Sequence, residues 1–171
     1  MKRILSVLVC LSLVLVALAG CGASAASGKS LKTGLAAIPS IAKSTDAGEK
    51  AGAAKADTTL VAVLVDDSGK IADCKIDMLQ SSIGFDTAGK LTTPLDKSFA
   101  TKQERGAEYG MKAASGIGKE WNEQANALCA YVIGKTIDQV KGIAVNEKGA
   151  PTEKELSASV TVGIGGYVAA I

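Results

Sequence analysis

Histidine is absent from the 171 residues, and with it most of the side-chain chemistry a hydrolase relies on. Without an imidazole there is no Ser-His or Cys-His nucleophilic pair, and the cysteines lack the usual companion for a metal site. Charge of a dominant sign is missing too. Lys and Arg number 19 against 17 Asp and Glu, and loss of Lys2 and Arg3 with a leader peptide would leave 17 against 17. That balance gives no sign of the basic footprint of a nucleic-acid or acidic-lipid binder. Nucleotide loops are missing as well. Ahead of Gly118-Lys119, Ala113 stands where a phosphate loop needs its first Gly, and Glu120 where it needs Ser or Thr. Gly163-Ile164-Gly165-Gly166 lacks the spacing of a dinucleotide fingerprint. Aromatic residues make up only 4% of the chain, with a single Trp, which favours a core anchor for Trp121.

What is present begins with an export signal. Met1-Lys2-Arg3 is a positive head, Ile4 to Ala19 an apolar run, and Leu18-Ala19-Gly20-Cys21 a small-residue processing site. The run is short for a membrane span, so it reads as a signal peptide over residues 1–20. The last four residues resemble the bacterial lipobox, in which the Cys takes a diacylglycerol; Cys21 is therefore the expected lipidation site. Gly22 to Ser30, rich in Gly, Ala and Ser, reads as a flexible tether. The expectation is an extracytoplasmic protein held to the cell membrane by its N-terminal lipid.

Residues 31–171 suffice for one domain with a sizeable core. Thr33 to Ser44, with Gly34 and Pro39, suggests an edge strand, and Asp46 to Asp57 a polar connection. Thr58 to Val65 is an aliphatic run of the kind buried on both faces of a central strand. Asp66-Asp67-Ser68-Gly69 supplies a turn, and Ala72, Cys74, Ile76 and Met78 alternate with Asp73, Lys75 and Asp77 in a half-buried partner strand. A further strand is expected over Ile83 to Thr87, followed by a turn at Thr87-Ala88-Gly89-Lys90. Thr92 to Met111 reads as a long irregular connection of the sort that lines a site.

Ile117, Trp121, Ala125, Leu128 and Val132 recur with the period of one helix face, with Ser115 placed to cap the start and Gly134 to end it. Thr136 and Gln139 fit a capping box, and Thr152 and Glu155 repeat the signature. Beyond them Leu156, Val160, Ile164, Tyr167 and Ile171 keep helical spacing, although Gly163, Gly165, Gly166 and the β-branched residues disfavour a helix there. The pattern as a whole predicts an α+β fold, a small, mostly antiparallel sheet with helices against one face. Cys74 and Cys129 either pair as a disulfide or remain buried free thiols.

The order of extended T-G-L segment, buried strand, Asp66-to-Ile71 hairpin, Cys-Lys-Ile-Asp strand (Cys74 to Asp77) and Tyr109-Gly110-Met111-Lys112 ahead of Ile117-Gly118-Lys119-Glu120-Trp121 resembles the FMN-binding-domain lipoproteins of bacterial cell envelopes. The resemblance implies flavin-based extracytoplasmic electron transfer with an envelope redox partner. The family's flavin-attachment motif, Ser/Thr-Gly-Ala-Thr, has its counterpart at Ala158-Ser159-Val160-Thr161, where only Thr161 matches. Thr161 and Ser159, with Tyr109 and Lys112, are the candidate cofactor contacts. Val160 in place of the small residue, and a Thr161 two turns inside a helix, imply non-covalent rather than esterified FMN. The alternative is a non-catalytic binding or structural lipoprotein that keeps the fold without the flavin.

Overall fold

The computed structural model describes residues 30–171. The apolar run, Cys10, Cys21 and the tether through Lys29 lie outside them, so the lipobox expectation falls on residues whose structure is not described. Three strands form one antiparallel sheet in the order β1 (Leu31–Ser40), β2 (Gly52–Asp66), β3 (Ile71–Phe85). Helices α1 (Lys102–Arg105), α2 (Trp121–Val132), α3 (Ile137–Lys141), α4 (Lys154–Ser157) and α5 (Gly165–Ala170) follow. This is an α+β fold. A short 3-10 turn, Gly106–Tyr109, extends α1.

Strand β2 is the centre, with Val61 opposite Ala36 on one side and Ile76 on the other. Its burial alternates. Thr59, Val61 and Val63 are buried, while Leu60, Ala62 and Leu64 are only partly covered. The two-faced burial expected from the aliphatic run is therefore corrected, because the helices cover one face and leave Leu35 80% exposed on the other. Three further corrections concern the strands. The stretch expected to be a polar connection already pairs from Gly52, opposite Phe85, and only Asp46 to Ala51 connects. Ile83 belongs to the same strand as Ile71, so no separate strand begins there. The register shifts between Leu64 and Val65, which puts Ile71 in the core and leaves Ala72 exposed as the extra residue of a bulge.

One turn design recurs three times. Asp66, Asp86 and Asn146 each accept, through the side-chain oxygen, the backbone N–H groups two and four residues on. Each also donates its own N–H to the carbonyl of the residue just after the turn glycine, Lys70, Lys90 or Ala150, and each turn has a left-handed Gly at its fourth position, Gly69, Gly89 and Gly149. Both turns read as such in the first half of the chain are thus present, and the Asn146 to Pro151 loop is a third copy.

Helix α2 begins four residues later than its apolar spacing suggests. Its cap is Glu120, whose N–H donates to Glu123 Oε2 at 2.7 Å; Ser115 lies outside. Gly134 takes the left-handed conformation expected of it, with φ 79°. The Thr136–Gln139 capping box forms as read. The Thr152 box does not, since α4 starts after Glu153 with no side-chain cap. Thr101 and Glu104 cap α1 reciprocally, so part of the expected irregular connection is ordered.

Leu156, Val160, Ile164 and Tyr167 all reach the core and Ile171 is partly buried, but only Leu156 and Tyr167 lie in helices, two short ones joined by an irregular Ala158 to Ile164. The glycines and β-branched residues interrupt the backbone without altering which residues are buried. At Gly163 a Cβ would lie 3.1 Å from the Lys148 carbonyl, a tight approach that the bare Cα avoids. The core joins Val61, Val63, Ile71, Cys74 and Ile76 of the sheet to Trp121, Ala125, Leu128 and Val132 of α2 and to the four C-terminal residues. Trp121 is 2% exposed, and its indole N–H donates to Tyr167 Oη at 3.2 Å. Both remaining cysteines are buried free thiols. Among the described residues no helix is long and apolar enough to cross a membrane.

Candidate functional site

The site assembles around α2 because one buried amide on it holds two loops. Gln124 is fully buried. Its Oε1 accepts from Thr161 N (2.9 Å), Thr161 Oγ1 (3.2 Å) and Val162 N (3.3 Å). Its Nε2 donates to Ser115 Oγ (3.0 Å) and to the Lys119 carbonyl (3.3 Å). The segment ahead of α2 and the segment between α4 and α5 are thereby fixed side by side. Lys119 Nζ comes within 3.4 Å of Ser159 Oγ, across 40 residues of sequence. The Lys119 ammonium and the Ser159 hydroxyl therefore lie together, next to the exposed Thr161, whose own hydroxyl turns to Gln124.

Beside them runs a cleft of about 330 Å³ between α2 and α4, lined by Ala127, Ala130, Tyr131, Glu155, Leu156 and Ser159. Ala127 and Ala130 keep part of its α2 wall low, and Tyr131 beside them closes the rest of that wall with a ring. Tyr131 is held from both ends, by the Lys135 ammonium 4.1 Å from its ring centre and by a hydrogen bond from its hydroxyl to Glu153 Oε2. That bond to a carboxylate, reinforced by partial desolvation, pushes the phenol up to about 12.

Of the four contacts expected from the sequence, Ser159 and Thr161 share this surface and the other two do not join them directly. Tyr109 stands over a second cluster. Its hydroxyl lies 3.4 Å from Gln80 Oε1, and its ring faces the Lys102 ammonium at 4.5 Å and the Arg105 guanidinium at 4.9 Å. Lys112 is exposed, and what fixes it is its backbone, which with Met111 N–H donates to the Glu120 carboxylate at 3.1 and 2.8 Å. The physical grounds for expecting an obstructed Thr161 are corrected. Val160 is fully buried and points away into the core, Thr161 stands outside any helix, and its hydroxyl bonds to Gln124. Lys119, Gln124 and Tyr131 were missed as site residues. Gln124, a polar residue on the apolar side of a helix, was the available signal.

The Lys119 ammonium and the Ser159 hydroxyl fit the phosphate end of FMN, beside a cleft lined by two alanines together with Tyr131, Glu155 and Leu156. Among the described residues no cluster suits a metal ion.

No family model matches the chain, and no solved structure matches it. Among curated proteins it is similar to a chlorophenol reductase of Desulfitobacterium hafniense, 37% identical over 94 residues, an alignment that takes in 48% of this chain and 29% of that protein. The chain thus spans less than a third of the length of that relative.

Proposed function

We propose that this chain is a membrane-anchored, extracytoplasmic electron-transfer module that holds FMN non-covalently in the cleft between α2 and α4. The observation that carries the proposal is the meeting of Lys119 with Ser159, which lines that cleft, next to the Thr161 segment held by Gln124. The shared stretch with a protein named as a reductase supports the redox class. Bound FMN would supply the electron exchange, and the protein would supply position and electrostatics. Lys119 would neutralise phosphate charge while the Ser159 hydroxyl donates to its oxygens. Gln124 keeps the Thr161 segment beside Ser159, and Ala127 and Ala130 leave room for a planar group. Non-covalent retention agrees with the Thr161 hydroxyl already donating to Gln124, and with Ser159 standing where the attachment motif has Gly. Lipidation at Cys21 would place the module at the membrane surface, where each buried acyl methylene contributes about 0.8 kcal/mol.

The decisive measurement is the visible spectrum of protein purified from its own host, followed by denaturation and filtration. Yellow colour that passes the filter is the expected result. Colour that stays on the polypeptide, with a mass gain abolished by Thr161→Ala, would establish an esterified flavin instead. Colourless protein that takes up no added FMN would replace the proposal with the binding-module alternative. Cys21→Ser should abolish incorporation of labelled fatty acid.

A further inference from the structure

The two thiols in the core lie opposite one another, and neither the candidate site nor the proposed flavin chemistry uses them. Cys74 is 1% exposed on the inner face of β3, and Cys129 is 6% exposed on the inner side of α2. Two anchors set the helix against the strand. At one end, Gln103 Nε2 donates both to the Ile76 carbonyl (2.9 Å) and to Asn126 Oδ1 (3.1 Å), which brings the Asn126 turn level with Ile76. At the other, Gly134 N donates to the Ile71 carbonyl (2.7 Å) and Ile71 N to the Lys135 carbonyl (2.9 Å). The helix therefore runs antiparallel to β3. Cys129 is three residues beyond Asn126, about 4.5 Å along the helix axis. At about 3.3 Å per strand residue that advance reaches the level of Cys74 and Lys75. Of those two, Cys74 faces the helix, since Lys75 is exposed on the other side of the sheet.

We propose that Cys74 and Cys129 form a redox modification site, a dithiol that hydrogen peroxide closes into a disulfide stapling α2 to β3. The more exposed sulfur acts first. The Cys129 thiolate attacks one peroxide oxygen, the O–O bond breaks, and hydroxide leaves to be protonated to water, giving Cys129 sulfenic acid. The Cys74 sulfur then attacks the Cys129 sulfur, the S–O bond breaks, and a second water leaves with the Cys74 proton. In sum two thiols are oxidised by two electrons, and one peroxide is reduced to two waters. The division of roles agrees with the local electrostatics. The hydrogen bond from Cys74, with the Ile76 N–H, holds the Cys129 thiol below its ordinary value against the opposing effect of burial. The bond Cys74 makes to Cys129, and then burial, push Cys74 up. The staple would tie down the helix that carries Gln124, and so would stiffen the Ser159–Thr161 surface. The inference does not rest on the flavin proposal.

The test treats the full chain with increasing hydrogen peroxide, then unfolds, alkylates and digests it with trypsin. The expected product is the Ile71–Lys75 peptide joined to Glu120–Lys135, lost on reduction, with a higher urea midpoint for the oxidised protein than for the reduced. Cys74→Ala should abolish the link and leave a sulfenic acid on Cys129 that dimedone traps. If that variant does not fold, the wild-type peptide map and midpoints decide alone. Two separately alkylated peptides, overoxidised Cys129 beside alkylated Cys74, or a link between two chains would each overturn the proposal. A disulfide that lowers the midpoint would overturn the staple.

Discussion

Gln124 and Lys102 are both polar, both buried and both placed beside Trp121, yet their polar ends are satisfied in opposite ways. The Gln124 amide engages three donors through its oxygen and two acceptors through its nitrogen. The Lys102 ammonium is 4.5 Å from the centre of the Tyr109 ring and 5.1 Å from that of Trp121, and among the described residues no carboxylate forms an ion pair with it. A neutral amide loses little on burial when every lone pair and proton finds a partner. A cation can use the negative faces of aromatic rings, whose attraction is less directional. The difference shows in what each one organises. Gln124 fixes the relative position of two loops, whereas Lys102 fills a space between rings and specifies little.

Trp121→Ala has the largest expected effect, since it removes a ring from Lys102, the partner of Tyr167 and the centre of the core. A loss of about 3–5 kcal/mol in urea denaturation is expected. Gln124→Ala leaves Thr161 N, Val162 N and Ser115 Oγ without their partner, and should cost about 2–3 kcal/mol. Its signature is local, with amide exchange accelerated at Thr161 and Val162 more than in β2. Uniform acceleration would show that the amide supports the core rather than the loops. Lys102→Met keeps the apolar stem and removes the charge, so the cation–ring attraction and the desolvation cost disappear together, and the change should stay within about 1 kcal/mol. A loss as large as that of Gln124→Ala would mean the ammonium specifies the fold after all.

Tyr131 combines both modes, a cation on its ring and a carboxylate on its hydroxyl. Its folded value of about 12 lies above the ordinary 10. The contribution to stability is therefore complete below pH 10 and is lost as the pH rises through about 12. Glu153→Gln removes the carboxylate charge, and the tyrosinate absorbance of Tyr131 should then appear at lower pH. An unchanged titration would assign the shift to desolvation alone.

Much of this architecture was legible because it is local. The Asp66 and Asp86 turns follow from an Asx oxygen within reach of its own backbone two and four residues on, with a glycine free to turn left-handed. The Thr136 capping box and the stripe from Trp121 to Val132 need only one or two helical turns of sequence to define them. The burial of Leu156, Val160, Ile164 and Tyr167 was likewise written in their spacing.

Tertiary structure decided the rest. The last segment breaks into two short helices because its apolar residues must meet α2 and the sheet, while its glycines and β-branched residues give the backbone no reason to stay helical between them. The bulge at Ala72 was decided by the turn it follows and by the pairing across it, which the simple alternation of β3 does not contain. Ser159 and Thr161 were singled out from sequence, but Lys119 and Gln124 were not. They belong with that segment only because α2 packs where it does, which brings together groups 37 and 40 residues apart. Periodicity reports which side of an element is buried. Which polar groups meet across the core is settled by the packing of whole elements, and the candidate site lies at such a meeting.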